Sequence, residues 1–383
     1  MFPAFPYWPL SSFYLFYFAL LGASAPFMGL YFAHLGFSPE RIGELVAIPM
    51  LMRCLAPNLW GWLGDVTGRR LAIVRLGAFC TLVSFALILV DRRYAWLAMV
   101  MALHAFFWHA VLPQFEVITL AHLRERAEQY ARLRAWGSLG FILAVVGLGA
   151  LFERTGMGAW PAAMLTIMAG ILAASAWVPS ATPRAHEQAP ASGSFWRQVR
   201  RPGVPAFYLS VALMQLSHGP YYTFVSIHLE ALGYGRTAIG LLWSLGVVAE
   251  ILLFWWMARL LERFSLRQIL LASLALAVLR WLLLGFAADH LVWLLLAQVL
   301  HAATFGSFHV AAVHFVQRRF GAGQQGQGQA LYASLSGIGG ALGALYAGYS
   351  WDALGAGATF ALASLAALAA AVIMAGRPHE ERT

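Results

Sequence analysis

FMGLYFAHLGFSPERIGEL, residues 27–45, is answered 197 residues further along by FVSIHLEALGYGRTAIGLL, residues 224–242. At that shift Phe27 falls on Phe224, Leu35-Gly36 on Leu232-Gly233, Ile42-Gly43 on Ile239-Gly240 and Leu45 on Leu242. Outside the window, Gly22 falls on Gly219 and Arg70 on Arg267. A register shared across two helices and their loops marks an internal duplication.

The duplicated units are built from apolar runs. Runs bounded by charge or by Gly and Pro predict helices near 10–33, 40–62, 70–90, 94–119, 131–151 and 158–178. A second set falls near 204–230, 236–260, 267–287, 291–315, 327–349 and 354–375. Hydrophobic residues make up 61% of the 383 and charged residues 11%, whereas a soluble domain carries about a quarter charged. So much apolar surface cannot hide in one core, so the solvent is lipid, where a spanning helix needs about 20 apolar residues. The expectation is an all-α integral membrane protein of twelve transmembrane helices in two pseudo-symmetric six-helix bundles. The bundles are residues 1–180 and 204–383, joined by the polar, Pro/Ala/Ser-rich linker 181–203. Parallel repeats of this kind place a binding site near the bilayer midplane, between the halves.

All 25 basic residues are arginine, and net charge is +9. No basic block stands apart from the spans, so nucleic acid is not an expected partner and the arginines read as topology signals. Seventeen fall on the side holding the central linker and the tail, five on the other and three within spans. This distribution predicts that both termini are cytoplasmic. Cys54 and Cys80 lie inside apolar runs and suggest neither a disulfide nor a metal pair. The N-terminus lacks a charged leader region and reads as a first span kept in the mature chain. His104, His109, His309 and His314 match no metal-ligand spacing and read as packing or backbone-bonded groups.

An ionisable group at mid-bilayer costs roughly 3 kcal/mol or more and faces a cavity or a partner. Five strong charges fall in spans: Arg53, Glu116, Arg134, Glu250 and Arg280. At the 197-residue shift Arg53 falls on Glu250, so the two are candidates either for a clamp between halves or for a transport role. Three arginines against two carboxylates leave one excess positive charge that an anion would balance, and guanidinium pairs carboxylate bidentately. Tyr221, Tyr222, Trp243 and Trp136 are candidates to stack an aromatic ring. Glu116 and Glu250, with His301 and His218 behind them, are candidates for proton handling, because burial and a nearby arginine move a carboxylate's proton affinity in opposite directions. No nucleophile–base signature or P-loop is visible, GAGQQG at 321–326 follows no strand, and GIGGALG at 337–343 has small-xxx-small spacing for close helix contact. Neither cofactor nor metal is expected, and no enzyme activity.

The loop after the second run, GWLGDVTGRR at 61–70, resembles the G-x-x-x-D-x-x-G-R-R/K signature of the major facilitator superfamily, with Val66 where a basic residue is usual. The resemblance implies a cytoplasmic gate at Gly61, Asp65, Gly68, Arg69 and Arg70, in which Asp65 accepts hydrogen bonds from a neighbouring helix N-terminus. ARLLERFSLR at 258–267 is its weak copy in the second half.

YARLRAWGSLGF at 130–141, with Glu116 lying 18 residues before Arg134, is similar to the sugar-binding helices four and five of the lactose permease. Arg280 and His301 fall where that family has its helix-nine Arg and helix-ten His. The family's proton-releasing Glu is Thr304 here, its helix-eleven Lys is absent, and its helix-seven acidic pair is replaced by His218 and Tyr221. HGPYYTFVSIHLEALGYGRTAIGLLWSLGVVAEI at 218–251 resembles the 3-phenylpropionate transporter branch more closely. That likeness implies a proton-coupled symporter of a small organic anion, an aromatic carboxylate, working by alternating access. Substrate would sit on Arg53, Glu116, Arg134, Arg280, Tyr221, Tyr222 and Trp243. The alternative is a sugar or nucleoside proton symporter of the lactose-permease type. The partners implied are small-molecule substrate, protons and membrane lipid, and superfamily members act as monomers.

Overall fold

The computed structural model describes residues 5–123, 128–180, 194–321 and 323–376. In these residues the regular structure is helical. The first run bends at Ala25–Phe27 into α1 (Tyr7–Ser24) and α2 (Met28–His34), which meet at 42°. α3 (Pro39–Thr67), α4 (Arg70–Ala86), α5 (Tyr94–Leu123), α6 (Glu128–Thr155) and α7 (Trp160–Trp177) follow. After the short α8 (Phe195–Val199) come α9 (Val204–Ser217), α10 (Gly219–Ala231), α11 (Arg236–Arg263) and α12 (Leu266–Phe286). α13 (Leu291–His301) passes through a π-helical stretch, Ala302–Ser307, into α14 (Phe308–Arg319), and α15 (Gln325–Ala375) ends the described chain.

Local chemistry sets the boundaries. Pro39 opens α3, where its missing N–H costs nothing, and Gly68, at φ 65°, closes it with an N–H to the Gly64 carbonyl at 3.0 Å. Ser265 and Gln268 form a capping box at the start of α12. Among the described residues nine helices are long and apolar enough to cross a membrane, ten if α1 and α2 are one span. The expectation was twelve. Part of the difference is the break at His218, which leaves α9 and α10 each short of a full span. The rest is Gly355, at φ 82° and ψ 166°, a non-helical residue inside the 51-residue α15.

Contacts divide the chain into two compact units, Met1–His186 with Ser226–Ser244, and Glu187–Val225 with Leu245–Thr383. In the first, α1 packs on α6 and α7, and α5 on α3 and α4. Residues 226–244 go with it because they lie along α6: Arg236 Nη1 donates to the Phe152 carbonyl at 2.9 Å, and the Thr237 N–H to the Glu153 carboxylate at 2.8 Å. In the second, α9 and α12 pack on α15, and α12 also on α13, the π-helical stretch and α14.

The duplication is visible in how each unit is held. A Cβ at Gly140 of α6 would collide with the Leu15 carbonyl of α1; in the other unit, a Cβ at Gly339 of α15 would collide with the Ala212 carbonyl of α9. Leu15 and Ala212 are 197 residues apart. Gly22 meets the Phe141 carbonyl and Ala144, while its counterpart Gly219 meets Gly343. In lipid, close approach of backbones through small residues drives helix association, since apolar burial against tails gains little. Arginine also closes one helix end in each unit. Arg75 of α4 donates to the carbonyls of Ser175, Ala176 and Val178 at 3.1–3.2 Å, and Arg267 of α12 to Ala375 at 2.6 Å. These carbonyls at the ends of α7 and α15 have no helical partner, and a cation there also opposes the helix dipole.

Candidate functional site

In the first unit, α5 and α6 bring the paired charges together. Glu116 and Thr119 share one face of α5, and Tyr130 and Arg134, four apart, one face of α6. Arg134 Nε stands 4.0 Å from Glu116 Oε1, and the Tyr130 hydroxyl donates to that oxygen at 3.4 Å. The Arg134 guanidinium lies 3.9 Å from the Phe18 ring centroid and 5.7 Å from that of Tyr14, whose hydroxyl donates to Thr119 at 3.2 Å. Both charged side chains are about a third exposed, at 35% and 37%, so the pair is screened and contributes little to stability. Trp136 donates to the Tyr7 hydroxyl at 3.0 Å.

Arg53 lies on α3, exposed, and among the described residues makes no hydrogen bond or ion pair. It stands within electrostatic reach of Tyr17 and of His109, whose ring nitrogen is 3.2 Å from the Pro49 carbonyl. Glu250, its counterpart in the repeat, belongs to the other unit, where its side chain lies against Gly306 of the π-helical stretch. Trp243 is buried and donates to Ser226 at 3.1 Å.

Residues of the 61–70 stretch enter a chain of contacts at the end of α3. Asp65 is paired with the Arg70 guanidinium, and Arg70 Nη1 donates to Gln114 Oε1 at 2.5 Å. Gln114 Nε2 in turn donates to the Trp60 carbonyl at 3.1 Å. The partner of Asp65 is thus the Arg70 side chain, not the backbone N–H groups of a helix N-terminus, because Arg70 opens α4 and turns its side chain back. Arg69 is exposed, and its N–H donates to Thr67 at 3.3 Å. Gly64 makes room for Gln114, since a Cβ there would stand 2.5 Å from Oε1, whereas a Cβ at Gly61 would meet open space.

In the second unit α9, α10, α12 and α13 converge on Arg280. It has no exposed surface; Nε donates to the Ala297 carbonyl at 2.9 Å and Nη1 to Thr304 at 3.1 Å. Its guanidinium sits 4.2 Å from the Tyr221 ring centroid and 4.7 Å from that of Trp281. Tyr221 donates to Gln298 at 2.9 Å and stacks on His301, which stacks on Phe305 at 5.3 Å. His218, at the break between α9 and α10, meets Trp281 edge-on at 4.8 Å and stacks on Tyr222 at 6.0 Å. Four buried polar atoms here have no hydrogen-bond partner: Arg280 Nη2, His218 Nε2, Gln298 Nε2 and His301 Nδ1. Buried polar groups are otherwise almost always paired, so a cluster of four asks for a ligand. Among the described residues no aspartate or glutamate is fully buried, and no group of three or more His, Cys, Asp or Glu could hold a metal.

Two amides escaped the sequence reading. Gln114 and Gln298 are the single Gln of their apolar runs, 94–119 and 291–315. A lone amide in a span must find a partner, and that was the available signal. The role of Thr304 had none; it depends on the π-helical turn.

These observations define the class: a multi-pass helical membrane transporter of small molecules. The chain belongs to the MFS_1-like family of the major facilitator superfamily, whose model matches residues 7–362. It is 30% identical over 310 residues to the probable 3-phenylpropionic acid transporter of Escherichia coli (strain K12), covering 80% of this chain and 81% of that one. It is 25% identical over 331 residues to the maltose permease of Geobacillus stearothermophilus, covering 84% and 82%. Among solved structures, the nucleoside transporter NupG superposes with a TM-score of 0.85 at 15% identity, covering 97% of this chain and 98% of that one. A POT family transporter superposes with a TM-score of 0.76 at 11% identity, covering 96% and 95%. Family and fold are those of transporters rather than enzymes.

Proposed function

We propose that this protein is a proton-coupled symporter that moves a small organic anion, an aromatic carboxylate of the 3-phenylpropionate kind, by alternating access across a bacterial cytoplasmic membrane. The observation that carries the proposal is Arg280, a permanent cation with no exposed surface, an unpaired Nη2 and no fully buried acid among the described residues. A cation this deep in a span costs roughly 3 kcal/mol or more, and an arriving carboxylate offsets that cost by accepting from Nη2. Tyr221 and Trp281 beside the guanidinium offer the flat apolar surface that an aromatic ring prefers. Arg53, Arg134 with Glu116, Tyr222 and Trp243 are further candidates for substrate contact, and Glu116, Glu250, His218 and His301 for proton handling. The 30% identity to a probable 3-phenylpropionic acid transporter supports the substrate class.

In this reading the chain crosses the membrane twelve times. Residues 1–180 and 204–383 form two six-helix halves joined by 181–203, both termini are cytoplasmic, and one chain works alone without cofactor or metal. The gate is the Asp65–Arg70–Gln114 chain with Gly61, Gly68 and Arg69 around it.

The test uses purified protein in liposomes enclosing a pH-sensitive dye, given 3-phenylpropionate, other aromatic acids, lactose or maltose in turn, with the leak through protein-free liposomes subtracted. Internal acidification by the acids, lost in Arg280→Met, is the expected result. Acidification by a sugar alone would replace this reading with the sugar-symporter one, which the identity to a maltose permease favours.

A further inference from the structure

A symporter of this kind needs a seat for its proton, and the second unit is furnished with imidazoles rather than buried carboxylates. His218 occupies the break between α9 and α10, with only 1% of its surface exposed. Its Nδ1 lies 2.8 Å from the Met214 carbonyl. A carbonyl oxygen only accepts, so Nδ1 carries the hydrogen of the neutral ring and Nε2 carries the lone pair. That Nε2 is buried and has no partner. The neutral ring is therefore held as the tautomer whose basic nitrogen is buried and unbonded.

The groups around it decide when that nitrogen takes a proton. Arg280 of α12 and His301 of α13 are the charged and titratable neighbours, with Tyr221 and Tyr222 of α10; Trp281 and Phe305 are apolar walls. Glu250 of α11 lies against Gly306 in the same unit. Protonating an imidazole beside the Arg280 guanidinium places two cations in one dry cluster, which is unfavourable. A carboxylate bound to Arg280 Nη2 removes that obstacle and supplies a counter-charge.

We propose that His218 Nε2 is the seat of the transported proton, and that it is loaded only together with a carboxylate held by Arg280. Anion and proton then enter as a neutral pair: hydronium gives its proton to the Nε2 lone pair, an N–H bond forming as an O–H bond breaks and water leaves, while the carboxylate accepts from Arg280 and no bond within the anion changes. By linkage each partner strengthens the binding of the other equally. The mechanism rests on the organic-anion reading above and specifies how that site couples to protons.

The experiment measures 3-phenylpropionate binding to the purified full-length protein in weakly buffered detergent, by calorimetry together with a pH-sensitive dye. Wild type is expected to take up about one proton per anion bound, with an apparent Kd that weakens about tenfold per pH unit once free His218 is neutral. His218→Gln is expected to bind more weakly, with no proton uptake and a flat pH profile. Proton uptake that persists in His218→Gln, or that vanishes only in His301→Gln, would overturn the assignment while leaving the anion reading intact. So would complete loss of binding by a His218→Gln protein of unaltered melting temperature, since His218 would then be an anion ligand. Where His218→Gln does not fold, nitrogen-15 NMR of histidine-labelled wild type decides: an Nδ1–H imidazole is expected to become doubly protonated on adding 3-phenylpropionate, and unchanged signals from all 12 histidines would refute the proposal. Wild type that binds neither 3-phenylpropionate nor any other aromatic acid would sink the anion reading itself.

Discussion

Replacing Arg280 by lysine keeps the charge and removes the geometry. In the structure the guanidinium is fixed by Nε to the Ala297 carbonyl at 2.9 Å, by Nη1 to Thr304 at 3.1 Å and by the Tyr221 ring at 4.2 Å. Those three anchors hold Nη2 in place, pre-organised for a ligand. A lysine ammonium is a compact point charge on a flexible stem, and it cannot hold both anchors and a carboxylate in one plane. The loss is at least one charge-assisted hydrogen bond to the substrate, about 1.5–3 kcal/mol. At 1.4 kcal/mol per tenfold, that raises the Kd for 3-phenylpropionate about 10- to 100-fold. Calorimetry or radioligand binding on purified protein measures it, with melting temperature as the folding control. A folded Arg280→Lys protein that binds within about threefold of wild type would refute the placement of the carboxylate on this guanidinium.

Other expected outcomes follow from the packing. Gly140→Leu and Gly339→Leu each drive a side chain into a backbone carbonyl and are expected to cost at least about 1–3 kcal/mol of stability, read as lowered melting temperature or lost expression. Gly61→Ala meets open space within α3 and is expected to stabilise by up to about 1 kcal/mol in the same assay. Gln114→Leu removes one hydrogen-bond partner each from the Arg70 guanidinium and the Trp60 carbonyl, with an expected loss of about 1–3 kcal/mol and slowed uptake in liposomes. Arg75→Ala uncaps three carbonyls at the end of α7, and thermal unfolding is expected to show a loss of about 1–2 kcal/mol.

The site was partly legible and partly not, for reasons that lie in particular residues. Glu116 and Arg134 could be matched because each is an ionisable group within an apolar run, and the structure brings them within 4.0 Å. Arg280, His301, His218 and Tyr221 were legible for the same reason, and they share one cluster. Their individual roles were not. Which nitrogen of His218 is basic depends on the Met214 carbonyl one turn back, and Arg280 is anchored by Thr304 only because the helix widens into a π turn at 302–307. The Asp65 partner depends on how the Arg70 side chain, five residues on, folds back across the turn between α3 and α4, which a sequence pattern does not report.

Composition and run length determined what the chain must be: a bundle of lipid-facing helices, since 61% of residues are hydrophobic and apolar runs of about 20 residues cross lipid as helices that satisfy their own backbone. The 197-residue repeat predicted two related halves. Only the tertiary structure decided how each half closes, through Gly140 on Leu15 and Gly339 on Ala212, and which buried polar atoms are left without partners. A one-dimensional pattern reports which residues prefer lipid. Hydrogen-bond satisfaction is a property of pairs brought together across hundreds of residues, and the proposed ligand site rests on the unpaired atoms around Arg280.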